Sequence, residues 1–347
     1  MPLVRSPLNP IILPQDVSPS NPDFEVLAAF NAGVARLGAE VVLLLRVAER
    51  PRDQGQDLCR VPVYDPALNR LVIREFARGD SRNDFSDPRV IGSPQGMHLT
   101  SMSHLRSARS RDGQHFEIDS QPALFPQPDY EAFGIEDPRI TQIGSDYYVN
   151  YVGVSSLGIV TALARTRDFR SFERLGVIFP PDNKDVEIFP ERIGEKYYAL
   201  HRPSTSVFGK PEIWIAESPD LICWGNHRRL AGLRESGWEG GRIGGSAVPF
   251  RVPGGWLEIY HGADRSNRYC LGALLLDERE PWKVLARSRK PILEPAADYE
   301  LQGFFGNVVF SCGVLAEEGL LKIYYGASDT ITAYAEMPLS EVLEGLG

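Results

Sequence analysis

The nine residues Tyr147-Tyr-Val-Asn-Tyr-Val-Gly-Val-Ser155 read as one buried strand, aromatic and β-branched through its length and closed by a glycine and a hydroxyl. The pattern returns in Val41-Val-Leu-Leu-Leu-Arg-Val-Ala-Glu49, Lys196-Tyr-Tyr-Ala-Leu-His-Arg-Pro-Ser204, Gly255-Trp-Leu-Glu-Ile-Tyr-His-Gly-Ala263 and Leu320-Leu-Lys-Ile-Tyr-Tyr-Gly-Ala-Ser328. A second repeated strand reads Ala108-Arg-Ser-Arg-Asp112, Ala164-Arg-Thr-Arg-Asp168, Ala216-Glu-Ser-Pro-Asp220 and Ala286-Arg-Ser-Arg-Lys290. Its Ser/Thr-x-Asp tip suits a hairpin turn. Phe116, Phe172 and Trp224 follow the first three copies at the same distance. The copies stand 56, 52 and 70 residues apart, the period of a four-stranded propeller blade with its loops. Five units predict an all-β, five-bladed β-propeller. A two-sheet sandwich would leave the repeated tips unexplained.

No linker or low-complexity stretch divides the chain, so residues 1–347 are expected to form a single propeller domain. A short extension precedes it, and a C-terminal helix over Pro338–Leu346 is predicted, with Ser340 as its N-cap. Pro22–Arg36 is the other helical expectation. Composition agrees with a turn-rich β protein: 347 residues, 43 % hydrophobic, with Gly 32, Pro 27, Phe 16 and Tyr 13. A net charge of −9 argues against a nucleic-acid surface. The cysteines Cys59, Cys223, Cys270 and Cys312 are far apart and suit a reduced interior. No His/Cys spacing suggests a metal, and no Gly-x-x-x-x-Gly-Lys or Gly-x-Ser-x-Gly motif occurs. Without a signal-like leader or an apolar run of about 18 residues, a soluble, cytoplasmic protein with no membrane partner is expected.

Candidate chemistry centres on Phe133-Gly-Ile-Glu-Asp-Pro-Arg-Ile140. Pro138 fixes the backbone there, and an extended chain would aim Arg139 to the side of Asp137. The plainer reading is a turn whose aspartate caps local amides. If the five repeats are the innermost strands, their ends converge on one funnel carrying Arg46, Tyr151, His201 with Arg202, Tyr260 with His261, and Asp329. Pro180-Pro-Asp-Asn-Lys-Asp-Val-Glu-Ile-Phe-Pro-Glu191 sets Lys184 among carboxylates, and Arg242-Ile-Gly-Gly could bring amides to an anion. Alternatively Arg242 is an ion-pair partner of Glu239.

Taken in order, Asn21-Pro-Asp-Phe-Glu-Val, Leu45-Arg-Val-Ala-Glu49, Gly134-Ile-Glu-Asp-Pro-Arg-Ile140, Asn183-Lys-Asp, Phe189-Pro-Glu191, Leu200-His-Arg-Pro203, Arg242-Ile-Gly-Gly, Tyr260-His-Gly262 and Tyr324-Tyr-Gly-Ala-Ser-Asp329 resemble glycoside hydrolase family 130. These are inverting β-mannoside phosphorylases and related mannosidases on five-bladed propellers, and the resemblance runs from about Asn21 onward. It implies that Asp137 is the single catalytic acid, acting through a sugar hydroxyl. It implies phosphate ligands at Lys184, Arg202, Arg242 and His261, and sugar contacts at Asn31, Arg46, Tyr269 and Asp329. Arg139 and His201 join the substrate-binding expectation from their places beside these motifs. The chain departs from the family pattern at Lys184, where arginine is common, at Arg242, where lysine is common, and over Gly244-Gly-Ser-Ala-Val-Pro, which has less proline than usual.

The implied reaction converts a β-mannoside oligosaccharide and inorganic phosphate into α-mannose 1-phosphate and a shortened acceptor. Phosphate is the co-substrate, no other cofactor is implied, and a homo-oligomer is compatible. An inverting mannosidase would need a carboxylate base opposite the acid, whereas retained basic positions favour phosphate. A non-catalytic mannoside-binding propeller is the reading from another class.

Overall fold

The computed structural model describes residues 3–204 and 208–347. About 55 % of the chain is strand and 5 % helix, which settles the all-β class. Five antiparallel sheets form the blades, and four of them run in chain order from the axis outward. Blade 1 comprises Phe24–Leu37, Glu40–Pro51, Met102–Ser110 and Glu117–Ile118. Blade 2 comprises Gly134–Ile143, Asp146–Ser155, Gly158–Thr166 and Glu173–Phe179. Asn183–Ile188, Tyr197–Pro203, Ile213–Ser218 and Gly225–Ala231 make blade 3. In blade 4, Arg242–Gly245 and Phe250–Val252 both pair with Gly255–Ala263, followed by Tyr269–Leu276 and Val284–Arg287. Blade 5 takes Val309–Glu317, Leu320–Ala327 and Ile331–Pro338, and its outer strand is Val4–Arg5 from the other end of the chain.

The five aromatic repeats are therefore the second strands of their blades, not the innermost ones. The reason is packing. A second strand is covered on both faces and flanked on both edges, so it shows the longest apolar run. Gly255–Ala263, for example, is buried at every position. The innermost strands carry glycines and charges, and their ends meet at the axis. One of them, Phe24–Leu37, overturns the helix expected over Pro22–Arg36. Its apolar residues do not alternate, because a bulge interrupts its pairing between Phe30 and Gly33.

Three of the four repeated Ser/Thr-x-Asp tips make one turn. The hydroxyls of Ser110, Thr166 and Ser218 accept from the amides of Gly113, Phe169 and Leu221. Those three residues share left-handed backbone, with φ of 78°, 55° and 72°. Ala286-Arg-Ser-Arg-Lys290 is not a fourth copy; it starts on the outer strand of blade 4. The C-terminal helix spans Leu339–Glu344, with Pro338 rather than Ser340 at its N-cap. Among the described residues no helix is long and apolar enough to cross a membrane.

Between the second and third strands of blade 1 the chain makes an excursion of two hairpins, Leu58–Asp65 with Arg70–Ala77 and Val90–Ser93 with Gly96–Leu99. Cys59, Val61, Val63, Phe76 and Ile91 bury this excursion against Phe133 and Val154 of the blade 2 side. It thereby roofs one side of the axis.

The ring is closed at blade 5. Val4 and Arg5 pair with Glu336 and Ala335, and the Arg5 guanidinium reaches the buried Glu300 carboxylate at 2.8 Å and 3.0 Å. Arg5→Ala would leave that carboxylate without its cation. We expect a loss of about 2 kcal/mol, below the cost of breaking a fully buried pair because Arg5 keeps some solvent. An unchanged denaturation midpoint would count against this seam as a stabilising element.

Candidate active site

Four of the innermost strands break their pairing, and on three of them the break holds a polar residue in left-handed backbone. Those three shifts fall between Phe30 and Gly33, Glu136 and Arg139, and Lys184 and Glu187. Inside each bulge lies a residue in left-handed backbone: Asn31 (φ 46°), Asp137 (φ 48°) and Asp185 (φ 53°). Asn and Asp are the non-glycine residues that tolerate this conformation best, and a bulge re-aims the side chain that a regular strand would hide. All three line one cavity of about 260 Å³, the scale of a small-molecule site.

Two donors hold the Asp137 carboxylate. Asn31 Nδ2 and Arg46 Nη1 each donate to its Oδ1 at 3.0 Å. Arg46 also donates to Glu136 at 2.8 Å and stacks over the Phe30 ring. Burial alone would push the Asp137 carboxyl up. The charges of Arg46 and Arg139, the Asn31 amide and the Lys184 ammonium outweigh it and hold the group below its ordinary value. Asp329, in the turn after the second strand of blade 5, lines the same cavity. Its carboxyl is pushed up to about 6, by burial and by the neighbouring Asp137 charge, against the pull of Arg46.

On the other side sit Lys184, Asp185, Arg202 and His261. Asp185 Oδ2 accepts from Arg202 Nε at 2.6 Å and lies 3.6 Å from His261 Nε2. With Nε engaged, the terminal nitrogens of Arg202 are left for the cavity. Among the described residues the Lys184 ammonium has no ion-pair partner within 4 Å, and burial beside Arg202 holds its pKa down. His261 Nδ1 lies 3.2 Å from the Gly245 carbonyl, which makes it the donating nitrogen. Burial lowers the imidazole to about 3, so His261 is neutral and presents Nε2 as an acceptor. These groups converge over Gly244: a Cβ there would lie 2.4 Å from Asp185 Oδ2, 2.6 Å from His261 Cε1 and 2.9 Å from Arg202 Nε.

Of the residues singled out from sequence, Asn31, Arg46, Asp137, Lys184, Arg202, His261, Tyr269 and Asp329 line the cavity. Five others do not. Arg139 lies beneath the floor, fully buried, donating to the carbonyls of Asp137, Gly245 and Ser246. The left-handed turn at Asp137 breaks the two-residue alternation that would have set the two side chains side by side. His201 is one residue from Arg202 and so faces the opposite side of its blade, against Phe179, Asn183 and His227. Tyr151 and Tyr260 are core residues tied to Glu131 and Glu239. Arg242 stands one side chain back from the cavity, bonded to Tyr269 and Asn267 rather than to Glu239.

Sequence reasoning missed several lining groups. Glu136 and Asp185 lay inside quoted motifs, and their acid character in a basic cluster was the available signal. Asp87 and Arg89 arrive on the excursion, where Arg89 stacks over Phe305, from the connection between blades 4 and 5, at 4.3 Å. With these counted, Arg46, Arg89, Lys184 and Arg202 meet Asp87, Glu136, Asp137, Asp185 and Asp329. The basic positions read from sequence are thus met by more carboxylates than Asp137.

Below the floor lies a second acidic pair. Glu187 and Glu258 are fully buried, and burial raises both carboxyls well above the ordinary range, with the Glu258 charge adding to the rise at Glu187. The unfolded chain ionises them above about 4.5, whereas the fold keeps them protonated, so stability falls as pH rises from there toward the folded pKa. Glu258→Gln keeps an acceptor for the Ser246 amide and removes this titration. We expect its denaturation midpoint to change less than that of the parent protein between about pH 5 and pH 8. Equal slopes would refute the assignment.

A family described as β-1,4-mannooligosaccharide phosphorylase matches residues 88–346. A β-1,2-mannobiose phosphorylase of Listeria innocua is 49 % identical, over 100 % of this chain and 99 % of its own. A 1,2-β-oligomannan phosphorylase of Thermoanaerobacter sp. is 34 % identical, over 88 % of this chain and 98 % of its own. A solved structure of the Listeria innocua β-1,2-mannobiose phosphorylase, in complex with β-1,2-mannobiose, superposes with a TM-score of 0.97, at 50 % identity over 100 % of this chain and 99 % of that one.

Proposed function

The chain belongs to glycoside hydrolase family 130, and on that premise we propose that it is an inverting phosphorylase of β-1,2-mannobiose, releasing α-mannose 1-phosphate and mannose. What carries the reading is full-length identity to a β-1,2-mannobiose phosphorylase joined to a cavity that sets Asp137 opposite Lys184 and Arg202.

Asp137 is the acid. It delivers a proton to the glycosidic oxygen, by way of a hydroxyl of the bound mannose, as the bond to the anomeric carbon breaks. Phosphate attacks that carbon from the opposite face, so configuration inverts. Phosphate needs no activating base; it needs to be held in line, which is the work of the free nitrogens of Arg202 and the unpaired Lys184. His261 Nε2, an acceptor, suits the remaining proton of a phosphate. Asn31, Arg46, Tyr269 and Asp329 surround the mannose, and Arg242 acts on the site through Tyr269. The free cysteines support a reducing, cytoplasmic setting.

The test is direct. Incubation with β-1,2-mannobiose and phosphate should yield mannose 1-phosphate, with no turnover when phosphate is left out. Free mannose as the sole product, indifferent to phosphate, would make the protein a hydrolase, and no turnover at all would favour a binding propeller. Asp137→Asn is isosteric, and we expect it to lower kcat by about 100-fold or more. Arg202→Ala should raise the KM for phosphate far more than the KM for the mannoside. Phosphate should also raise the Tm, by mass action on the folded state.

A further inference from the structure

Three carboxylates crowd one guanidinium at the cavity floor. Arg46 bonds Glu136 and Asp137, and its charge also bears on Asp329. Among the described residues Asp329 has no ion pair within 4 Å. From blade 1, Asn31 and Arg46 face these groups, and from blade 2 Glu136 and the buried Arg139. Lys184, Asp185 and Arg202 face them from blade 3, His261 and Tyr269 from blade 4, and Asp87 and Arg89 from the excursion. The four cations of this lining face five carboxylates, and His261 is neutral. An anion of two charges entering such a space meets no surplus of positive charge, and repulsion in a cavity shielded from water shifts the proton affinity of its carboxylates by orders of magnitude.

We propose that the anion enters together with a proton, which the cavity-facing carboxylates Asp137 and Asp329 hold between them, so that the nucleophile's arrival arms the acid. The proposal rests on the phosphorolysis reading. Asp329, already at about 6, is carried through neutrality by further negative charge. Asp137 is ionised in the empty site by cations that include Lys184, one of the groups a phosphate would claim. The proton balance closes. One proton enters with phosphate and passes to the glycosidic oxygen as the carbon–oxygen bond breaks and its electron pair stays on the leaving oxygen. A phosphate oxygen gives its electron pair to the anomeric carbon, and the phosphate's own proton is lost when mannose 1-phosphate departs. Without phosphate the acid carries no proton to give, which denies the reaction to water.

Calorimetry on the intact protein tests this with sulfate, a dianion that exchanges no proton near neutrality, in two buffers of unlike ionisation enthalpy. The expected result is uptake approaching one proton per sulfate bound. Asp137→Asn and Asp329→Asn, both isosteric and both at home in left-handed backbone, should each cut the uptake by half or more. Binding without proton uptake, or uptake that persists in both aspartate variants, overturns the proposal. Should neither sulfate nor phosphate bind while mannobiose is cleaved by water, the phosphorolysis reading itself falls, and the calorimetry tells the two failures apart.

Discussion

A left-handed residue set in a bulge, repeated on three neighbouring innermost strands, is the constraint on which the site depends. A regular strand would point successive side chains into the two blade interfaces, where charge is costly. At Asn31, Asp137 and Asp185 the backbone instead turns one polar side chain toward the axis. The conformation is strained for residues with a Cβ, and it persists because the paired strands on either side fix it. The blade repeat thus supplies the chemistry as well as the architecture: the same irregularity, used three times, assembles an amide and two carboxylates face to face.

The charges around that centre are arranged in layers. Arg139, wholly buried, ties the bulge of blade 2 to Gly245 and Ser246 of blade 4 and approaches Asp185 of blade 3. It is a brace, and it also supplies part of the positive field on Asp137. Asp185 performs a similar double task, engaging the Nε edge of Arg202 while neutralising its charge. Lys184, with no ion-pair partner among the described residues, is the group most free to answer a ligand. Phosphate recognition in this arrangement owes less to net positive charge than to which hydrogen-bond donors are left uncommitted.

Much of this was legible in the sequence, and the failures share a cause. Apolar runs report burial, so the five aromatic strands announced five blades. The same rule misplaced them at the axis, because innermost strands hold glycine, bulges and charge and look irregular. Phe24–Leu37 suffered most: buried on both sides and bulged, it mimics helical spacing. Strand alternation separates Arg202 from His201 and His261 from Tyr260, and applying it would have removed His201 and Tyr260 from the site. Asp87 and Arg89 were beyond reach, because only tertiary packing brings the excursion over the axis. Asp185 was within reach, had its motif been read for the acid as well as for the lysine.

The seam at blade 5 has a kinetic meaning. Val4 pairs with Glu336, and Thr330 and Thr332 bond Ala29 beside the site. Closing so long a loop adds little to the equilibrium cost, since that entropy grows only logarithmically with length. It weighs instead on the rate, because contacts of high sequence separation form late. Asp329, on the turn held against Ala29 by that same joint, lines the cavity with Asp137. The contacts of high sequence separation that close the ring are therefore also the ones that bring its two cavity-facing carboxylates into one space.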